Sequence, residues 1–323
     1  MAPEALEFEE PIAVLLKEIE ALTLLPRTDA RDREIETLRR RIDTVRAELY
    51  RSLTPWQRVL VARHPNRPDL HEYIRRLFTG FVEIHGDRRY ADDHAIMTGF
   101  AEYHDQPVLL VGHVKGSDTK EKIFRNFGYA RPEGYRKALR AMRLADKFHR
   151  PIIVFVDTPA AYPGIESEER GVAEAIAVNL REMMLLDTPI VVIVSGEGGS
   201  GGALGIAVGD AVLMQQFSIY SVIPPEGCAA ILWRDASKKV EAAEALRLTA
   251  PDLLTAGLID EIISEPVGGA HTDPDAAARM VDAVLSRVLA EVGAMTGEAR
   301  LAKRYEKFRG MGRVGADFIE GRE

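Results

Sequence analysis

The sequence predicts an α/β fold built on a parallel sheet with helices on both faces. Three apolar runs rich in β-branched residues each begin directly after a proline, at 108–111, 152–156 and 190–194. Helical patterns lie between them, at roughly 133–148 and 167–186. Continuous apolar strands that alternate with helices are typical of a buried parallel sheet. The near-regular interval between the prolines also favours a repeated strand–helix unit.

The first 50 residues predict a helical hairpin that precedes this sheet. Two helical patterns fill residues 11–50 and are separated by a break at 26–29. The second pattern has a narrow apolar seam with spacings of three and four residues. We expect the hairpin to have a structural role, packed on the main body or on a partner chain.

Composition excludes several classes of protein. The 323 residues are 46% hydrophobic and carry a net charge of −8, which argues against general nucleic-acid binding. The single cysteine, Cys228, can form neither an internal disulfide nor a thiolate metal site, and it indicates a reducing compartment. The eight histidines show no paired ligand spacing, so no metal site is expected. Without a signal peptide or a long apolar segment, we expect a cytoplasmic protein with no membrane contact.

The predicted functional site lies at the carboxyl ends of the three strands. Each strand leads into an unusual loop, at 112–116, 157–164 and 196–202. Parallel sheets place their ligand sites at this edge. We therefore expect the three loops to form one active site.

The glycine run at 196–202 (GEGGSGG) has several interpretations. It fits the dinucleotide motif GxGxxG, but the helix expected at 203–208 is short and Gln215 and Gln216 stand where an acidic residue should be. It also fits the GxSxG motif of hydrolases, with Ser200 as nucleophile. That alternative requires a downstream histidine, and His271 is the only one after Ser200.

The interpretation that we favour needs no side-chain chemistry. Gly201 and Gly202 at the first turn of a helix would offer unpaired backbone N–H groups to a negatively charged oxygen. The simplest alternative is a run of glycines that lets strand and helix pack closely. We predict an oxyanion-stabilising turn, because five glycines in seven residues exceed what packing usually requires.

A basic segment precedes the second strand. Residues 115–150 contain eleven Lys or Arg and four Asp or Glu, a local net charge of 11 − 4 = +7. A helical stripe within it is best interpreted as a solvated face; its members are Arg136, Arg140, Arg143 and Lys147. The cations nearer the strand, including Lys115, Arg125 and Arg131, favour a phosphorylated or carboxylated ligand. Nucleic acid is a weaker alternative.

Several segments together resemble the carboxyltransferase alpha subunits of bacterial acetyl-CoA carboxylase. Besides the glycine run, they are LEFE at 6–9 with PI at 11–12, HGDR at 85–88, RNFG at 125–128, PEGYRKA at 132–138, DTP at 157–159, AYPG at 161–164, SVI at 221–223 and PEG at 225–227. The resemblance covers about residues 6 to 300.

The resemblance implies a crotonase-like (ClpP/crotonase) superhelix of ββα units with an N-terminal helical extension. It implies a helical hairpin at 1–55, a carboxyltransferase domain at 56–295 and a C-terminal helical tail at 296–323. The implied activity is the transfer of a carboxyl group from carboxybiotin to acetyl-CoA, which gives malonyl-CoA for fatty-acid synthesis. Implied partners are a zinc-ribbon-bearing beta subunit, a separate biotin carboxyl carrier protein that holds the biotin, and biotin carboxylase.

The resemblance also suggests which residues form the site. Gly201 and Gly202 would polarise the ureido oxygen of carboxybiotin through their backbone N–H groups. Substrate contacts are expected from Thr158, Pro159, Ala160, Ala161, Gly198, Gly199, Lys115, Arg125 and Arg131. The family usually has glycine where this chain has Ala160, so a positive φ there would strain the loop. Since the backbone N–H survives the change, we expect an active protein.

Overall fold

The computed structural model describes residues 6–312 and has one mixed sheet at its centre. The strands are β1 (Thr79–Glu83), β2 (Ile96–Tyr103), β3 (Gln106–His113), β4 (Ile152–Thr158), β5 (Ile190–Gly199), β6 (Ala211–Gln215), β7 (Ile219–Ser221) and β8 (Glu261–Ile263). Their order in the sheet is β1-β2-β3-β4-β5-β6-β8, and β7 pairs with the far end of β5. All three predicted strands are present, and they lie side by side and parallel, as expected.

The helices cover both faces of this sheet. They are α1 (Glu10–Thr23), α2 (Asp29–Arg51), α3 (Pro55–Ala62), α4 (Leu70–Leu77), α5 (Thr119–Phe124), α6 (Pro132–Lys147), α7 (Ile165–Glu169), α8 (Val172–Met183), α9 (Ser200–Leu204), α10 (Pro225–Leu232), α11 (Lys239–Ala245), α12 (Ala250–Thr255), α13 (Pro274–Gly293) and α14 (Gly297–Gly310). Along each central strand, successive side chains alternate between two apolar clusters. One cluster includes the buried faces of α6 and α8, and the other includes those of α4 and α13.

The sequence pattern did not reveal the antiparallel edge of the sheet. Strands β1 and β2 pair antiparallel with each other, and β2 pairs antiparallel with β3. Their sequences mix glycine, charged and aromatic residues, so neither forms a continuous apolar run. An edge that is partly exposed does not need such a run.

The predicted helical hairpin is present as α1 and α2. Side chains of the apolar seam on α2 pack against Ile12 and Leu15 of α1. The end of α2 packs on the main body, where the ring of Tyr50 meets that of Phe217 with centroids 5.4 Å apart. Of the two packing surfaces left open by the sequence, the structure therefore shows contact with the main body.

The last described helix, α14, docks on the body through buried arginine. The side chain of Arg304 is fully buried and donates hydrogen bonds to the carbonyl groups of Met183, Leu186 and Thr188. It also forms an ion pair with Asp210 at 2.8 Å. The predicted tail at 296–323 therefore begins as a docked helix, while residues 313–323 lie outside the described residues.

Three local predictions were wrong. The glycine run is not all turn, because β5 continues to Gly199, where its last three residues pair with β7. The following helix spans Ser200–Leu204 and not 203–208, so it begins earlier and has little more than one turn. The helix predicted at 167–186 is divided into α7 and α8 by Gly171, which has a φ of +76°.

None of the helices within residues 6–312 has the length and apolar character needed to cross a bilayer.

Candidate functional site

The ends of β4 and β5 bring two predicted loops into direct contact. Thr158 and Gly198 are paired in register, and the chain after each runs alongside the other. A Cβ atom at Gly199 would lie 1.8 Å from the carbonyl oxygen of Pro159, so only glycine permits this approach. The hydroxyl of Thr158 lies 2.7 Å from the carbonyl oxygen of Gly128 and 2.9 Å from that of Ala160, which holds the loop in place.

Gly201 and Gly202 lie in the first turn of α9, as predicted, but their surroundings differ. A Cβ atom at Gly202 would lie 2.4 Å from the backbone of Ala160 and Ala161, so this glycine is required by packing. At Gly201 the nearest atom would be a methyl carbon of Ile176 at 3.6 Å. Close packing therefore explains much of the glycine run, whereas a Cβ atom at Gly201 would make only an ordinary contact.

The loop that departs from the family pattern is not strained at the substituted position. Ala160 is not among the residues with a positive φ. Alanine is therefore compatible with this loop conformation. The neighbouring Ala161 forms a parallel bridge with Ala130, and the N–H of Tyr162 donates to the carbonyl of Ala130 at 2.9 Å.

An apolar cleft opens beside Gly201. Its volume is about 280 Å³, and Ser200 and Gly201 form one end of it. Its other walls come from β6, β7, α12 and the C-terminal helix, with Val212, Tyr220, Leu253, Phe308 and Met311 among the lining side chains. The cleft is therefore mostly apolar and lies beside the first turn of α9.

The geometry does not favour the hydrolase alternative. Ser200 has a φ of +47°, the kind of strained backbone that a nucleophile elbow also shows. However, the structure gives no hydrogen bond between Ser200 and His271. The imidazole of His271 instead stacks on His64 with ring centroids 3.9 Å apart. A serine without a base is a weak nucleophile.

Lys115 lies beneath the glycine run and joins three strand ends. Its ammonium group lies 2.7 Å from a carboxylate oxygen of Asp157 on β4 and 2.9 Å from one of Glu197 on β5. Arg63 binds the other oxygen of Glu197 at 2.7 Å and also pairs with Glu226. Two carboxylates already compensate the charge of Lys115, which leaves it poorly suited to bind an anionic substrate.

Electrostatics keep this network ionised. Burial alone would raise the pKa of Glu197, but the nearby cations Lys115 and Arg63 outweigh it and hold the pKa below its ordinary value. Burial would likewise lower the pKa of Lys115, and the carboxylates of Asp157 and Glu197 reverse that effect. Glu197 is therefore a charged bracing residue and not a base poised near neutral pH.

The other predicted anion-binding cations also have partners within the fold. Arg125 donates to the carbonyl of His94 at 3.0 Å and lies 3.2 Å from a ring nitrogen of His71. The guanidinium of Arg131 stacks over the ring of Tyr162, 4.8 Å from its centroid, so it does lie beside the 158–164 loop. The structure thus brings Arg131 near the candidate site and directs Arg125 toward other elements.

The basic stripe on α6 is used for packing. Arg136 pairs with Asp87 at 2.8 Å, and Arg143 pairs with Glu182 on the neighbouring helix at 2.7 Å. Arg140 donates to the carbonyl groups of His85 and Gly86. These contacts bind residues 85–87 and α8 to α6. The prediction of a solvated face is therefore wrong for Arg136 and Arg140, which are half-buried, whereas Arg143 and Lys147 are exposed as expected.

The fully buried His113 and the half-buried His271 should make the stability of the protein depend on pH. Burial lowers the pKa of both His113, beside the Gly202 backbone, and His271 from 6.5 to about 3. Between these pH values the rings are neutral when folded and protonated when unfolded, so unfolding takes up protons.

We therefore expect the free energy of unfolding to fall as the pH drops below 6.5. Each histidine would contribute a slope of at most about 1.4 kcal/mol per pH unit. Denaturant titrations between pH 7 and pH 5 would measure it, and the variant His113→Leu should show a shallower slope. An unchanged slope in that variant would contradict a neutral, buried His113.

Several residues around the site could not be assigned from the sequence. Arg63, Tyr220 and Phe308 lie far from the glycine run in the chain and reach it only through tertiary packing. Tyr135 and Asn179 contact α9 from two other helices. Tyr135 lies within one of the motifs quoted above, which was the only available signal for it.

Solved structures that share this fold indicate the class of protein to which the chain belongs. The chain resembles the transcarboxylase 12S subunit with a TM-score of 0.55 and 21% identity, over 68% of this chain and 41% of that one. It resembles a subunit of a Pseudomonas malonate decarboxylase hetero-tetramer with a TM-score of 0.54 and 17% identity, over 67% of this chain and 86% of the other. This chain spans less than half of the transcarboxylase chain. The shared architecture is the crotonase-like α/β fold of carboxyltransferases, as predicted.

Sequence relatives identify the family within this class. Residues 5–312 match the family model described as acetyl co-enzyme A carboxylase carboxyltransferase-like. The acetyl-coenzyme A carboxylase carboxyl transferase subunit alpha of Geobacter metallireducens is 54% identical over 95% of this chain and 97% of its own length. That of Geobacter sulfurreducens is 57% identical over 87% of both chains. The chain therefore belongs to the acetyl-CoA carboxylase carboxyltransferase alpha family and is a carboxyl-transfer enzyme subunit.

Proposed function

We propose that this chain forms the biotin side of a carboxyltransferase that makes malonyl-CoA from acetyl-CoA. The observation that carries the proposal is Gly201, whose backbone is open to an apolar cleft of about 280 Å³. A site of this kind can take a flat, largely apolar group with one polar oxygen. The bicyclic urea of biotin has that character.

The chain's part in the chemistry is electrostatic. The N–H groups of the first helical turn have no partner within a helix, and the aligned peptide dipoles add partial positive charge there. Donors of Gly201 and Gly202 would polarise the ureido oxygen, and low polarity in the cleft would strengthen the effect. Carboxybiotin would supply the carboxyl group and, once that group has left, a basic ring nitrogen. No acid–base side chain is then needed here, which agrees with the absence of a serine–histidine contact at Ser200.

The neighbouring residues would shape and hold this site. The loop Thr158–Ala161 packs against Gly199 and Gly202 and would form the rim beside Gly198. Lys115 and Glu197 would tie β3, β4 and β5 together beneath it. Arg131 would meet a ligand at this rim, which is supported by the stacking of its guanidinium on Tyr162.

The proposal requires partners that complete the reaction. A beta subunit would bind acetyl-CoA and stabilise the thioester oxygen, and a separate carrier protein would bring biotin, itself carboxylated by a biotin carboxylase. Relatives at 54% identity are named as alpha subunits, which supports assembly with other subunits. The proposed location is the cytoplasm.

Co-expression with a bacterial carboxyltransferase beta subunit tests the proposal. We expect the two chains to copurify and to catalyse malonyl-CoA-dependent carboxylation of free biotin, with neither chain active alone. A copurified, folded complex without that activity would contradict the proposal. The variant Ser200→Ala distinguishes the proposal from the hydrolase alternative. A carboxyltransferase should keep its activity in this variant, whereas a hydrolase that uses Ser200 as its nucleophile would lose all activity.

A further inference from the structure

The glycine-rich segment at the candidate site is not held in position by its own helix and strand alone. Its helical part, α9, has only five residues, and a helix of that length is not stable by itself. Strand β5 fixes the entry of the segment at Gly199. Its other end must therefore be positioned by contacts from elsewhere in the fold.

Two buried polar side chains provide those contacts. The hydroxyl of Tyr135, on α6, donates to the carbonyl of Gly202 at 3.3 Å. The amide nitrogen of Asn179, on α8, donates to the carbonyl of Gly205 at 2.8 Å. The same nitrogen donates to the backbone carbonyl of Tyr135 at 3.0 Å, which joins the two contacts into one unit.

The environment makes these contacts specific. Tyr135 is fully buried and Asn179 is 1% exposed, so water cannot replace either donor. Both neighbours of the Asn179 nitrogen are carbonyl oxygens, and a flipped amide would place three acceptors together. Burial raises the pKa of Tyr135, which keeps its hydroxyl protonated and able to donate. Gly205 leaves room for the ring, because a Cβ there would lie 2.7 Å from Tyr135.

We propose that Tyr135 and Asn179 are positioning residues for carboxyl transfer, which set where the backbone N–H groups of Gly201 and Gly202 point. This inference rests on the function proposed above. Gly202 is tightly packed against Ala160 and Ala161, so a small movement of the segment also shifts the rim of the site. Displacements of about 1 Å in such donors can cost about 100-fold in rate.

Removal of each donor tests the proposal in the complex with the beta subunit. Tyr135→Phe deletes only the hydroxyl, and Asn179→Leu replaces the amide by an apolar group of similar size. We expect kcat for free-biotin carboxylation to fall about 10-fold in each, with the KM for malonyl-CoA within about twofold of wild type. The control Met142→Ala weakens the same apolar cluster at a residue two helical turns from Tyr135, and its kcat should stay near wild type. An unchanged kcat in both donor variants, or an equal loss in the control, would overturn the proposal.

A second measurement does not depend on the reaction. In the isolated chain, amide hydrogen exchange of peptides that cover residues 198–208 should become faster in Tyr135→Phe and Asn179→Leu than in Met142→Ala. If exchange is faster in the two donor variants but the wild-type complex is inactive, the proposed function is wrong and the positioning contacts are real. Unchanged exchange would refute the positioning role even if the wild-type complex is active.

Discussion

Replacement of Gly202 by valine should abolish carboxyl transfer and also weaken the fold. The new Cβ atom would lie 2.4 Å from the Ala160–Ala161 peptide, so α9 and the 158–161 loop must move apart. Overpacking of this kind typically costs about 1–3 kcal/mol. The loss of one well-placed oxyanion donor costs about 100- to 1,000-fold in rate, and here both donors would be displaced.

A pair of variants separates packing from catalysis at this site. A Cβ atom at Gly201 would make only an ordinary contact with Ile176, so the melting temperature of Gly201→Val should stay close to wild type. The bulk of the valine should block approach to the N–H groups and remove activity. Gly293→Ala, where an added Cβ atom would meet no atom within 4 Å outside its own helix, serves as a control that should keep full activity and should not lower the melting temperature. Thermal melts and free-biotin assays on the complex would measure both effects. Full activity of Gly202→Val would contradict the assignment of the site.

The variant Arg67→Met should cause a large loss of stability, because Arg67 belongs to a buried ion pair. Arg67 and Glu265 have side-chain exposures of 2% and 0% and make two contacts, at 2.7 and 2.9 Å. Arg67 also donates to the carbonyl of Ser195 at 2.6 Å, so it holds β5 just before the glycine run. Removal of one partner from a buried pair leaves an uncompensated charge and costs about 3–5 kcal/mol.

The double variant Arg67→Met/Glu265→Gln tests this explanation. It removes the stranded charge, so its free energy of unfolding should recover part of the loss seen in Arg67→Met alone. The exposed pair Arg287–Glu261, with side-chain exposures of 48% and 38%, offers a matched control in which Arg287→Met should change stability little. Urea titrations would compare all three. If the double variant is less stable than Arg67→Met, charge compensation is not what the pair supplies.

Local sequence patterns were sufficient to predict the central strands and the helical hairpin. The three apolar runs predicted β3, β4 and β5, because a strand buried on both faces has to be apolar throughout. The seam on α2 predicted the hairpin for a similar reason. Strands β1 and β2 were missed, because glycine, charged and aromatic residues interrupt both sequences and neither forms a continuous apolar run. The end of the glycine run was misjudged because its pairing partner, β7, lies about twenty residues further along the chain.

The glycine run shows which structural features cannot be predicted from the sequence alone. By itself, the sequence determined that a glycine-rich segment follows a buried strand, that a short helix is formed next to it, and that the segments together match one family. Only the tertiary structure decided which glycine is open and which is packed, because that depends on the Ala160–Ala161 peptide approaching from another strand. It also decided that Lys115 is paired with Asp157 and Glu197, residues more than 40 positions away. Such contacts are set by how strands and helices assemble, and no local spacing encodes them.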